Sequence, residues 1–299
     1  MHRASAALSS QSRILRTALA AAAIGVALAG AGIPGASAAA TCQPDAVAKT
    51  YPGLAGRTIR IGQSPTSPPY AFMEAATSEN HIGFDADMAR AVFACIGVPV
   101  EFKPGKWSGL LPALIAGQTE LMWSNLFYTP ARAEQVDFVT YRINATSGVV
   151  QKGNPKKITG MDTICGLRAT AGLGTVEEAS FRETSANCVK AGKKPLDVFT
   201  YQEVSAGLRM LANDRADVML LDTGAAGYMK TKMPNDIDLA YTIPTQFKVA
   251  VGVNKAEAEL RQAVFDAMQV IQSDGTQKAI MEKYGIDPTL QIPTEILTQ

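Results

Sequence analysis

Residues 84–102 read FDADMARAVFACIGVPVEF, and this stretch decides the fold class. Apolar Phe84, Met88, Ala91, Val92 and Cys95 recur at helical spacing, which predicts an amphipathic helix opening at Phe84. Gly97 stops it, and Val98 to Phe102 then reads as a strand. The same rhythm extends outward on both sides. Upstream, Thr58-Ile59-Arg60-Ile61-Gly62 alternates like a strand. Downstream, Leu110 to Ala116 reads as a short helix and Glu120 to Trp123 as a strand. Thr129-Pro130 opens another helix, with Thr as its N-cap and Pro in its first position. Alternating strands and helices predict an α/β sheet rather than a sandwich or a bundle.

A second run of the same kind begins near Gly148. Cys165-Gly166-Leu167-Arg168-Ala169 resembles a short strand and Gly172-Leu173-Gly174 a loop. Thr175-Val176-Glu177-Glu178 has the spacing of a capping box opening the next helix. Tyr201 to Ala212 is amphipathic, and Ala216 to Leu221 is an apolar strand ending at Asp222. Lys248 to Val253 returns to a strand, Ala256 to Ile271 makes a long helix, and Gln277 to Tyr284 a last one stopped by Gly285.

The first forty residues form a class of their own. Arg3, Arg13 and Arg16 make a basic leader without an acidic residue. From Ala18 to about Gly32 the chain is apolar or glycine, shorter than the roughly 20 residues that span a bilayer. Ala36-Ser37-Ala38 then offers the small residues of a signal-peptidase site. Residues 1–40 therefore read as a signal peptide cleaved near Ala38 or Ala40, and the protein as exported to the periplasm. Cys42 lacks the leucine expected three positions before a lipobox cysteine, so no lipid anchor is expected. The leader's three charges take the formal charge from +1 to −2 on its removal. No strongly basic stretch remains, which argues against a nucleic-acid partner. About 260 mature residues suit two lobes or one large domain.

Cys42, Cys95, Cys165 and Cys188 all follow the cleavage site. An even count in an oxidising compartment predicts disulfides, and spacing alone leaves three pairings open. There is no Cys-x-x-Cys pair and one mature histidine, so no metal site and no cofactor are expected. That histidine, His81, sits in the polar stretch 79–83, which reads as a turn with His81 at the surface. A hydrolytic triad would have to use it.

The order of motifs resembles the family 3 extracellular solute-binding proteins, the polar amino-acid-binding components of ABC importers. Carrying the resemblance are Ile59-Arg60-Ile61-Gly62, Ser67-Pro68-Pro69-Tyr70-Ala71-Phe72 and Gly83-Phe84-Asp85-Ala86-Asp87-Met88. Trp107-Ser108-Gly109-Leu110-Leu111-Pro112-Ala113-Leu114 follows, then Thr129-Pro130-Ala131-Arg132 and Val136-Asp137-Phe138. Gly174-Thr175, Arg215-Ala216-Asp217-Val218, Asp222 and Ser273-Asp274-Gly275-Thr276 complete the series.

The resemblance implies the two-lobed periplasmic-binding-protein fold (type II-like), with two crossing strands and ligand in the cleft. Lobe 1 would be 42–145 with 248–299, and lobe 2 would be 146–247. It puts Cys42 and Cys95 in one lobe and Cys165 and Cys188 in the other, which implies the pairs Cys42–Cys95 and Cys165–Cys188. It also implies a monomer that delivers its solute to a membrane ABC permease.

Arg132 is the leading ligand-binding residue. In the first turn of a helix its guanidinium fork and free backbone N–H groups would together receive a carboxylate. Asp222 emerges at the C-terminal edge of the sheet, where α/β ligands bind, and the family sets an acid there for the ligand's α-ammonium. Asp222 could equally cap the helix that follows. Thr175 and Gly174 would stand by the carboxylate, Ser124 and Asn125 by the ammonium. Tyr70 and Trp107 would form apolar walls. Ser64 replaces the acid usual in cationic amino-acid binders, Ser67 an aromatic, and Phe127 a small hydroxyl. An acid-free, Phe-bearing pocket argues against lysine or arginine and favours a ligand unlike a standard amino acid. The function expected is non-catalytic capture of a small amino acid or analogue. The alternatives are a cyclohexadienyl-dehydratase-like enzyme, for which no extra acid is visible, and a ligand sensor on the same fold.

Overall fold

The computed structural model describes residues 41–74 and 80–298, side chains 244–246 excepted. The expected signal peptide and cleavage site lie outside the described residues. In chain order, α1 (Val47–Thr50) precedes β1 (Ile59–Gln63). β2 (Thr66–Ser67), β3 (Ala71–Met73) and β4 (His81–Ile82) make a small antiparallel sheet. α2 (Phe84–Ile96), β5 (Val100–Pro104), α3 (Trp107–Ile115), β6 (Leu121–Phe127) and the single turn α4 (Pro130–Ala133) then alternate. After the long β7 (Asp137–Gln151) come β8 (Arg168–Gly172), α5 (Val176–Lys190), β9 (Asp197–Tyr201), α6 (Val204–Ala212), β10 (Val218–Asp222) and α7 (Thr223–Lys232). β11 (Ile237–Val253), α8 (Ala258–Ser273), α9 (Thr276–Lys283) and β12 (Ile296–Leu297) end the chain.

The main sheet runs β5-β1-β6-β11-β7-β10-β8-β9, with β12 also on β7. Its two ends are parallel: β1 pairs with β5 and β6, and β8 with β9 and β10. The antiparallel ribbon β7–β11 joins them, so the fold is two-lobed. Along the ribbon the register shifts between Ile243 and Phe247, opposite Asn144 to Thr146. On one side of that shift β11 pairs with β6, and on the other β7 pairs with β10. The cleft lies over this crossing.

Helices form where the sequence lays down apolar stripes. Phe84, Met88, Val92 and Ile96 of α2 are buried beside Leu260, Val264 and Ile271 of α8 in one core cluster. Gly97 ends α2 at φ 83°, and a Cβ there would overlap the Pro44 carbonyl. Cys42 bonds Cys95 and Cys165 bonds Cys188, the pairing that the resemblance implied.

Several boundaries differ from the expectation. The strand expected at Cys165–Ala169 runs from Arg168 to Gly172 instead, because Gly166 turns at φ 77° and Cys165 is tied to α5. β5 starts at Val100, after Pro99, and α3 begins at Trp107, three residues before Leu110. β11 starts at Ile237, well before Lys248. His81 corrects a second expectation: it is 3% exposed, in a strand, with its ring stacked on Phe102 at 5.2 Å. Nδ1 lies 2.9 Å from Gln63 Oε1, and burial, aided by Arg90, lowers its pKa. The pairing of β4 with β3 seats it there, which polarity of the flanking residues does not reveal.

Candidate functional site

Arg132 reaches the cleft because α4 is firmly started. The Thr129 hydroxyl accepts from the Arg132 backbone N–H at 3.2 Å, and Pro130 fills the first position. The guanidinium donates to the Phe127 carbonyl at 2.7 Å and, across the cleft, to the Gly174 carbonyl at 3.0 Å. It also lies over the Trp107 ring, 5.3 Å from the centroid. Five guanidinium N–H groups less these two bonds leave three donors. Burial lowers the Arg132 pKa, with Glu177 working against it.

Trp107, Ser124, Asn125, Phe127, Thr175, Tyr70 and Asp222 line the same cleft. Their commitments vary. The Trp107 indole donates to the Ser124 carbonyl at 2.9 Å, and the Ser124 hydroxyl accepts from the Ser64 N–H at 3.0 Å. Phe127 stacks on Phe247 at 5.2 Å. Thr175 caps α5 by accepting from the Glu178 N–H at 3.3 Å. Glu178 answers to the Gly174 N–H at 2.7 Å, one residue earlier than a capping box requires. The Gly174 and Thr175 N–H groups are thus engaged within the turn.

Asp222 does both things that its position allows. It caps α7, accepting from the Ala225 N–H at 3.1 Å, and it lines the cleft. Its carboxylate also accepts from the Tyr70 hydroxyl and from the amides of Asn125 (3.1 Å) and Asn144. Asn125 holds φ 48°, which asparagine tolerates, and its N–H donates to Asp85 at 2.6 Å.

Beneath these groups lies a layer absent from the sequence reading. Arg142 of β7 is fully buried, 4.6 Å above the Tyr70 ring, and donates to the Asn125 side-chain oxygen. Asp85, fully buried, accepts from the Tyr141 hydroxyl at 2.9 Å. Burial pushes Asp85 up to about 6, against the pull of Arg142. The visible signal was a charged residue, Arg142, at a polar position of the alternation from Val139 to Thr146.

Glu177 corrects the expectation of an acid-free pocket. It lies at the second position of α5, 7% exposed, and lines the cleft. Burial pushes its carboxyl up to about 7, opposed in part by its own backbone N–H, Thr175 and Arg132. In the sequence it reads as an interior letter of a helix cap, which hides its inward face.

Residues 59–287 match the bacterial extracellular solute-binding proteins, family 3. The chain belongs to that family. Among its relatives, the L-cystine-binding protein TcyJ of Escherichia coli K12 is 28% identical over 234 residues, 78% of this chain and 84% of that protein. A solved ancestral arginine-binding protein bound to arginine matches with TM-score 0.69 and 28% identity, covering 76% of this chain and 97% of its own. An ancestral amino acid-binding protein, AncCDT-1, described as a precursor of cyclohexadienyl dehydratase, matches with TM-score 0.67 and 26% identity over 76% and 95%. A family 3 chain has a solute-binding role.

Proposed function

We propose that this protein, exported and freed of its leader, captures a small amino acid or amino-acid-like ligand in the cleft. It then delivers that ligand, as a monomer, to a membrane ABC permease. The observation that carries the reading is Arg132: a cation at the cleft with three donors to spare and, among the described residues, no salt bridge. A carboxylate is the partner that such a fork fits best. The amino acids named for the relatives support the class of ligand.

The assignment of 42–145 with 248–299 to lobe 1 and 146–247 to lobe 2 is part of the proposal. It is supported by the register shift in the ribbon beside residues 144–146 and 243–247. Closure would be a hinge motion there, stabilised by bonds made only when the lobes touch. The Arg132–Gly174 bond and the 2.9 Å bond from the Ser108 hydroxyl to Gln202 are of that kind. Capture is proposed as non-catalytic, which family and relatives support; with Glu177 in the cleft, a lack of acids does not.

A thermal-shift screen of the mature protein against amino acids, their amides and small organic acids tests the ligand class. A ligand at 100 times its Kd adds about 2.7 kcal/mol of stability. Silence from every α-amino acid would sink the amino-acid assignment and leave the fold standing. Arg132→Ala is expected to fold and to bind at least about tenfold more weakly, the loss of a charge-assisted bond. Unchanged affinity would remove Arg132 from the site.

A further inference from the structure

Two opposite charges line the cleft without meeting. Arg132 projects from α4 and Glu177 from α5; each favours the other's charged form, yet among the described residues no ion pair within 4.0 Å joins them. Glu177 is nearly buried; besides Arg132, its charged form is favoured by its own backbone N–H and by the Thr175 hydroxyl, whose proton is shared with the Gly172 carbonyl at 2.9 Å. Asp222 is in the opposite condition. A carboxylate has about four acceptor sites, and Tyr70, Ala225, Asn125 and Asn144 supply four donors. A ligand ammonium at Asp222 would have to displace one of them, and each is itself buried or half-buried.

We propose that Glu177, rather than Asp222, receives the ligand's cationic group, so that a zwitterion spans the cleft from Arg132 to Glu177. Asp222 is then the anchor of an internal network that holds Tyr70, Asn125 and Asn144 and caps α7. This rests on the reading of the cleft as an amino-acid site, and it names the residue that selects for an ammonium there.

The electrostatics give the inference a signature. Glu177 is faced by Arg132 from α4, by Asp222 at the end of β10 and by Tyr201 at the end of β9. Its carboxyl, pushed up to about 7 by burial, is largely protonated below neutrality. An ammonium binds the ionised form, so below that value binding must release a proton. Affinity should therefore rise between pH 5.5 and pH 7.5, approaching roughly tenfold per unit at the acid end.

The experiment compares wild type, E177Q and D222N by thermal denaturation, first without ligand and then with a pool of the twenty protein amino acids at both pH values. Without ligand at pH 7.5, E177Q should match or exceed the wild-type Tm, because it removes a buried carboxyl that among the described residues forms no ion pair. D222N should lose roughly 4 °C or more, or fail to fold, because it breaks a filled network. A loss in E177Q equal to that of D222N would overturn the proposal by making Glu177 structural. With the pool, wild type should be stabilised more at pH 7.5 than at pH 5.5, and E177Q should lose both the stabilisation and its pH dependence. A wild-type response retained in E177Q would overturn the proposal. Should the pool leave wild type unmoved at both values, the amino-acid reading falls and the ammonium role of Glu177 falls with it, while the ligand-free comparison still tells whether Asp222 and not Glu177 is the structural acid.

Discussion

A fully buried guanidinium at Arg142 sits where two carboxylates, Asp85 and Asp222, also lie in the interior. Each acid influences it, and it also stands over the rings of Tyr70 and Phe84 at 4.6 and 5.6 Å. Burial disfavours its charge, and the neighbouring acids and phenols more than offset that. Such a charge is costly to bury, but it is costlier to strip of its partner. Arg142→Met should therefore lower folding stability by about 3 kcal/mol or more, since it leaves Asp85 and Asp222 uncompensated. The denaturant midpoint measures this, and adding Asp222→Asn to it should cost less than the sum of the two single changes. Strict additivity would mean that Arg142 and Asp222 do not share one network. The residue scale is also where the sequence was least legible. Arg132 and Asp222 stand at ends of elements, where a side chain's direction follows from the element. Arg142 stands inside a strand, and Asp85 and Glu177 in first helical turns where an acid reads as part of a cap; only the packing of other elements decides which way they face.

At the scale of elements, caps and stops could be read because they are local. Thr129-Pro130 and Thr175 start α4 and α5, and Gly97 ends α2, each by bonds within a few residues. The long strands β7 and β11 are a different matter. β7 alternates from Val139 to Thr146, but its polar members Thr140, Arg142, Asn144 and Thr146 are buried, so the alternation predicts a solvent face where there is none. Its polar groups make sense only against β11 and the network around Asp222. The caps have a functional consequence that can be tested. Thr129 does not itself line the cleft, but its hydroxyl fixes the N–H of Arg132, which does. Thr129→Ala should cost about 1 kcal/mol of stability. It should also weaken binding of whichever amino acid the screen identifies, by a few-fold, with Thr129→Ser restoring both. Titration calorimetry on the three proteins checks it; a Thr129→Ala affinity equal to wild type would mean that Arg132 is held by its Phe127 and Gly174 bonds alone.

For the molecule as a whole, the two disulfides divide along the same line as the sheet. Cys42–Cys95 ties the segment before β1 to α2, and Cys165–Cys188 ties the approach to β8 to α5. Each thus lies on one side of the ribbon, and neither crosses the cleft. They should stabilise the folded chain without restraining the proposed hinge motion. With sequence separations of 53 and 23 residues, loop-closure entropy gives about 4 kcal/mol for the first and about 3 for the second. Replacing each pair by alanines should lower the denaturant midpoint in that order. Ligand affinity, measured where both variants remain folded, should stay within about twofold of wild type, because the Arg132–Gly174 and Ser108–Gln202 bonds that join the lobes are untouched. A large loss of affinity in the Cys165–Cys188 variant would show that this bond positions α5 and its Glu177 for the ligand, and that closure and lobe stability are not separable in this chain.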